Sequence, residues 1–170
     1  ARTTIYSYTD GTTDGVPAGL LSRIDGPRRD VSDVTHFTYH PDHRGTLHTL
    51  TNALGHTTTV TDYDPHGRPT RWLDANGLIT TATYDERGRL TRQVSDGRIT
   101  DFAYDAAGNL IRVSAPDGST LTYDYDDANR LLGIENADGH RLRYQLDLAG
   151  NRLAEQVLDP LGVRVYMVFG

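Results

Sequence analysis

The chain contains no cysteine. That removes disulfide staples, thiolate catalysis and cysteine-ligated zinc, and says nothing about compartment. It contains no lysine either, since all seventeen basic residues are arginine. No apolar run approaches the roughly 18 residues of a membrane span, and no stretch sustains the 3.6-residue apolar period of an amphipathic helix. A helical domain and a helical membrane anchor are therefore not expected. No signal-like segment opens the sequence at Ala1, and the text breaks off at "VYMVFG", so it reads as part of something longer. The formal net charge of −6 is spread over well-mixed charges, which argues against a phosphate-binding surface and hence against a nucleic-acid partner.

What is abundant points one way. Seventeen Gly, ten Tyr and many Thr suit β-strands joined by tight turns. The turns recur. With the Asp of each "YD" in register, Asp64, Asp85, Asp105, Asp126 and Asp147 follow at steps of 21, 20, 21 and 21 residues. Soon after each comes a Gly or Asn followed by Arg or Asn: Gly67-Arg68, Gly88-Arg89, Gly108-Asn109, Asn129-Arg130 and Gly150-Asn151. A second mark falls midway, at Asn76-Gly77, Asp96-Gly97, Asp117-Gly118 and Asp138-Gly139.

Each mark has a backbone reason. Asp-Gly and Asn-Gly between β-prone arms signal hairpins whose type I′ turn needs positive φ at both central residues. Asp64-Pro65-His66-Gly67 carries type I preferences, with Asp capping its own backbone and Gly supplying the left-handed residue of a bulge. Asn129 replaces Gly with the residue that best tolerates positive φ. The spacing predicts two strands per repeat and a meander of antiparallel hairpins. Pairing around Asp117-Gly118 is expected to set Leu110 opposite Tyr125 and Arg112 opposite Tyr123. Around Asp138-Gly139 it sets Leu131 opposite Leu146 and Gly133 opposite Tyr144. One face would then carry a Tyr/Leu ladder of Tyr84, Tyr104, Tyr125, Leu90, Leu110 and Leu131. The arm from Leu90 is one residue short, which predicts a bulge or register change before Asp96.

Upstream the pattern loosens. "FTYHPDHRGTL" (37–47) is a repeat whose turn has gained a residue, "YSYTDGTTDGVPAGLL" (6–21) is a degenerate copy, and 26–36 is an irregular connection. The expected organisation is a single segment, 1–170: a degenerate repeat and connection over 1–36, regular repeats over 37–158, and the start of a further repeat over 159–170.

"Tyr-Asp-x-x-Gly-Arg/Asn-Leu" at this period, with a Gly turn midway, resembles the YD repeat of the rearrangement hotspot (RHS) proteins, over roughly residues 37–158. The resemblance implies an all-β strip of a spiralling RHS shell, similar to the toxin-complex C component and to the teneurin YD barrel. It further implies a structural role: enclosing or chaperoning a C-terminal toxin polypeptide in a secreted or surface-delivered bacterial polymorphic toxin. The implied partners are the rest of the shell, the enclosed toxin, and a cell-surface or secretion-system protein. The family's C-terminal self-cleavage motif ends near Asp-Pro-x-Gly-Leu. Here "DPLGV" (159–163) matches only in part, and Asp159 reads better as an ordinary turn residue.

Other chemistry is poorly supported. His36, His40, His43, His48 and His56 lie close in sequence but read as scattered surface residues rather than metal ligands. "DERGR" and "DAAGN" supply one carboxylate per turn, too few for a calcium loop. Asp126-Asp127 sits in a turn. No nucleophilic triad or phosphate-cradling loop is present. The reading is therefore of a non-enzymatic shell segment with no catalytic residues, cofactor or metal. The turn formers Asp64, Gly67, Asp85, Gly88, Asp105, Gly108, Asp126, Asn129, Asp147, Gly150, Gly77, Gly97, Gly118 and Gly139 would carry the structure. The alternative is a carbohydrate- or cell-surface-binding β-repeat module. As a piece of sheet, the chain is expected to self-associate edge to edge.

Overall fold

The computed structural model describes residues 3–28, 30–162 and 164–168, and every regular element among them is a β-strand. The chain divides into two compact units, Ala1–Ala82 and Thr83–Gly170. The first holds β1 (Ile5–Tyr8), β2 (Leu21–Asp25), β3 (Val34–Tyr39), β4 (Leu47–Thr51), β5 (Thr57–Tyr63) and β6 (Pro69–Leu73). Strand β7 (Ile79–Tyr84) contains the boundary. The second holds β8 (Leu90–Ser95), β9 (Arg98–Tyr104), β10 (Leu110–Ser114), β11 (Thr120–Tyr125), β12 (Leu131–Asn136), β13 (Arg141–Leu146), β14 (Arg152–Leu158) and β15 (Arg164–Val168). Within each unit the strands lie side by side in chain order. The pairings within the first unit are antiparallel, as are those within the second. The fold is an all-β hairpin meander.

One turn design serves most of the hairpins. At a YD turn the Asp64 amide donates to the Arg68 carbonyl (2.9 Å) and the Gly67 amide to the Asp64 carbonyl (3.0 Å). That is a three-residue loop, a type I turn closed by a left-handed residue. The mid-repeat turns copy it. The Ala115 amide donates to the Ser119 carbonyl (2.8 Å) and the Gly118 amide to the Ala115 carbonyl (3.0 Å). Asp117 is absent from the residues with positive φ, while Gly118 sits at +85°. The two-residue type I′ turn expected at Asn76-Gly77, Asp117-Gly118 and Asp138-Gly139 is therefore a three-residue turn instead. Only Asp96-Gly97 takes the type I′ form, with φ of 52° and 71°, between the paired Ser95 and Arg98. The arm that is one residue short is accommodated by this shorter loop, not by a bulge in the strand.

The longer loops shift the expected register by one. Arg112 faces Thr122 rather than Tyr123, and Gly133 faces Arg143 rather than Tyr144. Leu110 faces Tyr104 across the preceding YD turn rather than Tyr125, and Leu131 faces Tyr125 rather than Leu146. A bulge accompanies each of these YD turns. Registers slip between Leu110 and Arg112, between Asp124 and Tyr125, and between Gln145 and Leu146. The extra residue lets Tyr and Leu beside the turn share a face that strict alternation would deny them.

Burial is thin. The accessible surface is 11332 Å² for 18.8 kDa, against about 8,300 Å² for a folded monomer of that mass. Among the described residues the only buried apolar side chains are Val60 (8% exposed) and Ala82 (3%), with Thr80 beside them, and no large side chain is fully buried. All three belong to the first unit, where Trp72 pairs with both Val60 and Thr80.

Candidate functional site

The YD turns are locked by their own side chains. One oxygen of Asp85 accepts the Arg87 and Arg89 amides (3.0 and 2.9 Å), and the other accepts Arg89 Nε (2.7 Å). Asp126 repeats this with the Ala128 and Arg130 amides and Arg130 Nε, and Asp64 with His66 and Arg68. Where the repeat writes Asn instead of Arg, the side-chain amide substitutes, as in Asn109 to Asp105 and Asn151 to Asp147, both 2.8 Å. Asp85 and Asp126 are held below the ordinary carboxylate value chiefly by the Arg89 and Arg130 backbone amides. For Asp105 and Asp147 the Asn109 and Asn151 side chains contribute most. The predicted turn glycines Gly67, Gly77, Gly88, Gly97, Gly108, Gly118, Gly139 and Gly150 all have positive φ, from 71° to 107°, and Asn129 has 60°.

Two groups of residues here had no assigned role. The Arg or Asn after each turn Gly was visible as a recurring letter, and its function is to close the loop on the Asp. Asn52, Asp74 and Asn136 do half the same work in mid-repeat turns, each accepting two backbone amides. Their signal was an Asp or Asn three residues before the Gly.

The ladder residues fall as follows. Tyr104 OH donates to the Leu90 carbonyl (2.9 Å) and Tyr125 OH to the Leu110 carbonyl (3.0 Å). Tyr39 and Tyr63 do the same to Leu21 and Leu47, at 2.7 and 2.6 Å. Leu131 pairs with Tyr125, and Tyr84 ends β7. These phenols thus satisfy carbonyls at strand starts while their rings stay on the sheet face. The Arg89 guanidinium lies 4.6 Å from the Tyr104 ring centre and the Arg152 guanidinium 3.9 Å from that of Tyr144.

The pairings define two chemically distinct faces in the second unit. One carries Phe102, Tyr104, Val113, Leu121, Tyr123, Tyr125, Ile134, Leu142, Tyr144 and Val157. The other carries charges that pair: Arg92 with Asp101 at 2.6 Å, Arg141 with Glu135 at 2.9 Å, Arg143 with Asp124 at 3.8 Å. In the first unit one face is threonine-rich, with Thr38 and Thr49 hydroxyls 2.6 Å apart and those of Thr51 and Thr57 2.8 Å apart. Its apolar face ends in Tyr6 and Tyr8, 55% and 60% exposed.

The histidines do not converge. His40 packs against His48 and Tyr63 and bonds the Val60 carbonyl at 2.8 Å, while His36 pairs across strands with Thr51 and His56 contacts Asn52 at 3.5 Å. Among the described residues no three His, Cys, Asp or Glu side chains are placed to hold a metal ion. Asp126 is tied to Arg130, and its neighbour Asp127 is exposed. Asp159 heads an ordinary turn, accepting the Leu161 amide on its side chain and the Gly162 amide on its carbonyl; Val163 lies outside the described residues. An open groove of about 490 Å³ lies between the turns at 40–46 and 64–68, lined by Arg44, Leu47, Tyr63, Pro65 and His66 among others.

The fold is shared with solved structures. The chain aligns over 92% of its length, at 18% identity and a TM-score of 0.58, with a chain of the TcdB2-TccC3-Cdc42 crystal structure. It aligns over 91%, at 18% identity and 0.56, with one from TcdB2-TccC3 lacking the hypervariable C-terminal region. For a Photorhabdus luminescens Tc holotoxin pore the figures are 91%, 19% and 0.53. In each case it spans about a tenth of the matched chain. No curated protein matches it. The Teneurin YD-shell model matches residues 31–160. With that match across most of its length, the chain belongs to the teneurin YD-shell family.

Proposed function

We propose that the chain is a length of wall in a β-shell that encloses a toxin polypeptide and is delivered outside the cell that makes it. The observation that carries this reading is the sheet of the second unit, with one apolar, aromatic face and one ion-paired face. A sheet this exposed buries little by itself, and repeat architectures gain their stability from neighbours. The polar face is made for water, and the apolar face for company. The fold similarity to TcdB2-TccC3 chains supports the toxin setting. The role is one of containment, with no reacting group assigned. Its partners are the remainder of the shell and the enclosed polypeptide.

Limited proteolysis of the intact parent protein tests this. A segment outside the wall sequence should resist protease in the native parent and become sensitive once the wall is opened by mild denaturant. Immediate cleavage of every non-wall segment under native conditions would contradict enclosure. A second reading, a surface-binding module, is favoured specifically by Tyr6 and Tyr8, which stand exposed on one face of β1. It predicts binding of the isolated chain to glycans or cells that is lost in Tyr6→Ala/Tyr8→Ala; unchanged binding, or none, sets it aside.

A further inference from the structure

Repeats written in nearly the same letters have a pairing problem. A strand displaced by a whole repeat meets an almost equivalent neighbour, so something must tell one turn from the next. In the second unit the contacts between successive YD turns run along one edge. Arg87 and Arg89 reach the Ala106 and Asp105 carbonyls at 2.8 and 3.3 Å. Arg130 reaches the Asp147 and Leu148 carbonyls at 2.9 and 3.5 Å. Every turn has backbone carbonyls at those places, so these arginine clasps accept any following turn.

The step between them is different. Asn109 is shorter than Arg, and its Nδ2 divides its two hydrogens between Asp105 Oδ2 and Asn129 Oδ1, both at 2.8 Å. A side-chain oxygen is available there only because residue 129 is Asn. The equivalent places in the other YD turns are Gly67, Gly88, Gly108 and Gly150, which have nothing to offer. Asn129 also accepts a φ of 60°, where Gly would sit at no cost. Backbone conformation alone therefore does not ask for Asn at this position; the Asn109 contact does.

We propose that Asn109 and Asn129 form a register lock: a matched pair that admits one particular turn as the next neighbour, where the arginine clasps admit any. Asn129 is then a positioning residue as well as a turn former. The argument stands on the turn geometry and is independent of what the sheet encloses.

The two explanations of Asn129 give opposite signs in the chain 1–170. If only φ matters, N129G is as stable as the native chain or more so. If the lock matters, N129G lowers the folded-to-unfolded ratio about twofold to tenfold, the scale of one hydrogen bond, and refolding from urea yields more dimer on size-exclusion chromatography than the native chain gives at the same concentration. Replacing the short donor should rescue it, since in N109R/N129G a guanidinium can take the backbone carbonyls of the turn at 126. An N129G variant as stable as the native chain and no more dimeric overturns the lock, and so does an N109R/N129G variant no better than N129G. Should N129G fail to fold, the double variant decides: folding with no more association than the native chain supports the lock, and the same failure overturns it.

Discussion

At the scale of single residues the molecule is an arrangement of turn chemistry, and its sensitivities lie there. Gly67 has a φ of 80°, and a Cβ placed on it would meet nothing within 4 Å. The cost of substitution is thus purely conformational. Gly67→Val should lower stability by about 1–3 kcal/mol, Gly67→Asn much less, and equal melting temperatures for the two would contradict the turn assignment. The turn carboxylates give a pH signature. Asp85, Asp105, Asp126 and Asp147 are all lowered in the folded state, so the unfolded chain takes up protons first as the solution is acidified. Their contribution is present above about pH 4 and is lost as pH falls through the lowered folded values. Asp85→Asn should melt lower at neutral pH and lose less of its stability on acidification. A parallel pH profile for the variant and the native chain would show that the Asp85–Arg89 contact contributes nothing. These turn positions were legible in the sequence because positive φ leaves a mark in Gly and Asn. The fifth-position Arg and Asn were visible but mute, since their partners are an Asp four residues back and a turn a whole repeat away.

At the scale of strands and hairpins, register is where sequence reasoning went astray. Both Asp-Gly spellings look alike in text, yet Asp96-Gly97 closes a two-residue loop and Asp117-Gly118 a three-residue one. The difference lies in the arm length before the turn, one residue shorter from Leu90 than from Leu110. Bulges beside the YD turns were equally hidden, because the inserted Ile111 and Leu132 are ordinary strand formers. Loop length and register are coupled, which gives a direct test. Deleting Pro116 leaves Asp117-Gly118 as a two-residue loop between the same Ala115 and Ser119, the arrangement of Asp96-Gly97 between Ser95 and Arg98. That variant should keep cooperative urea unfolding. Deleting Val113 within β10 instead turns the strand residues before it to the opposite face and should abolish cooperativity; equal cooperativity in the two variants would mean that the sheet tolerates either register.

At the scale of the whole molecule, the features that matter are what is left open. Strands β1 and β15 are the outermost in the sheet order, and unpaired strand edges invite further pairing. Light scattering of the isolated chain should show an average mass that rises with concentration; a constant monomer mass at high concentration would contradict that. The all-β class and the meander were readable from periodicity and turn spelling alone. The two-faced character was only half readable: a one-residue error in register leaves the alternation intact but misplaces which Tyr meets which Leu.

The central claim is that this two-faced sheet is a wall, and the most direct measurement is a cryo-electron microscopy structure of the intact parent protein. The account predicts that residues 31–160 lie within a closed β-wall, their Tyr- and Leu-bearing face covered, around density belonging to another segment of polypeptide. A free-standing sheet with that face open to solvent and nothing enclosed would contradict it.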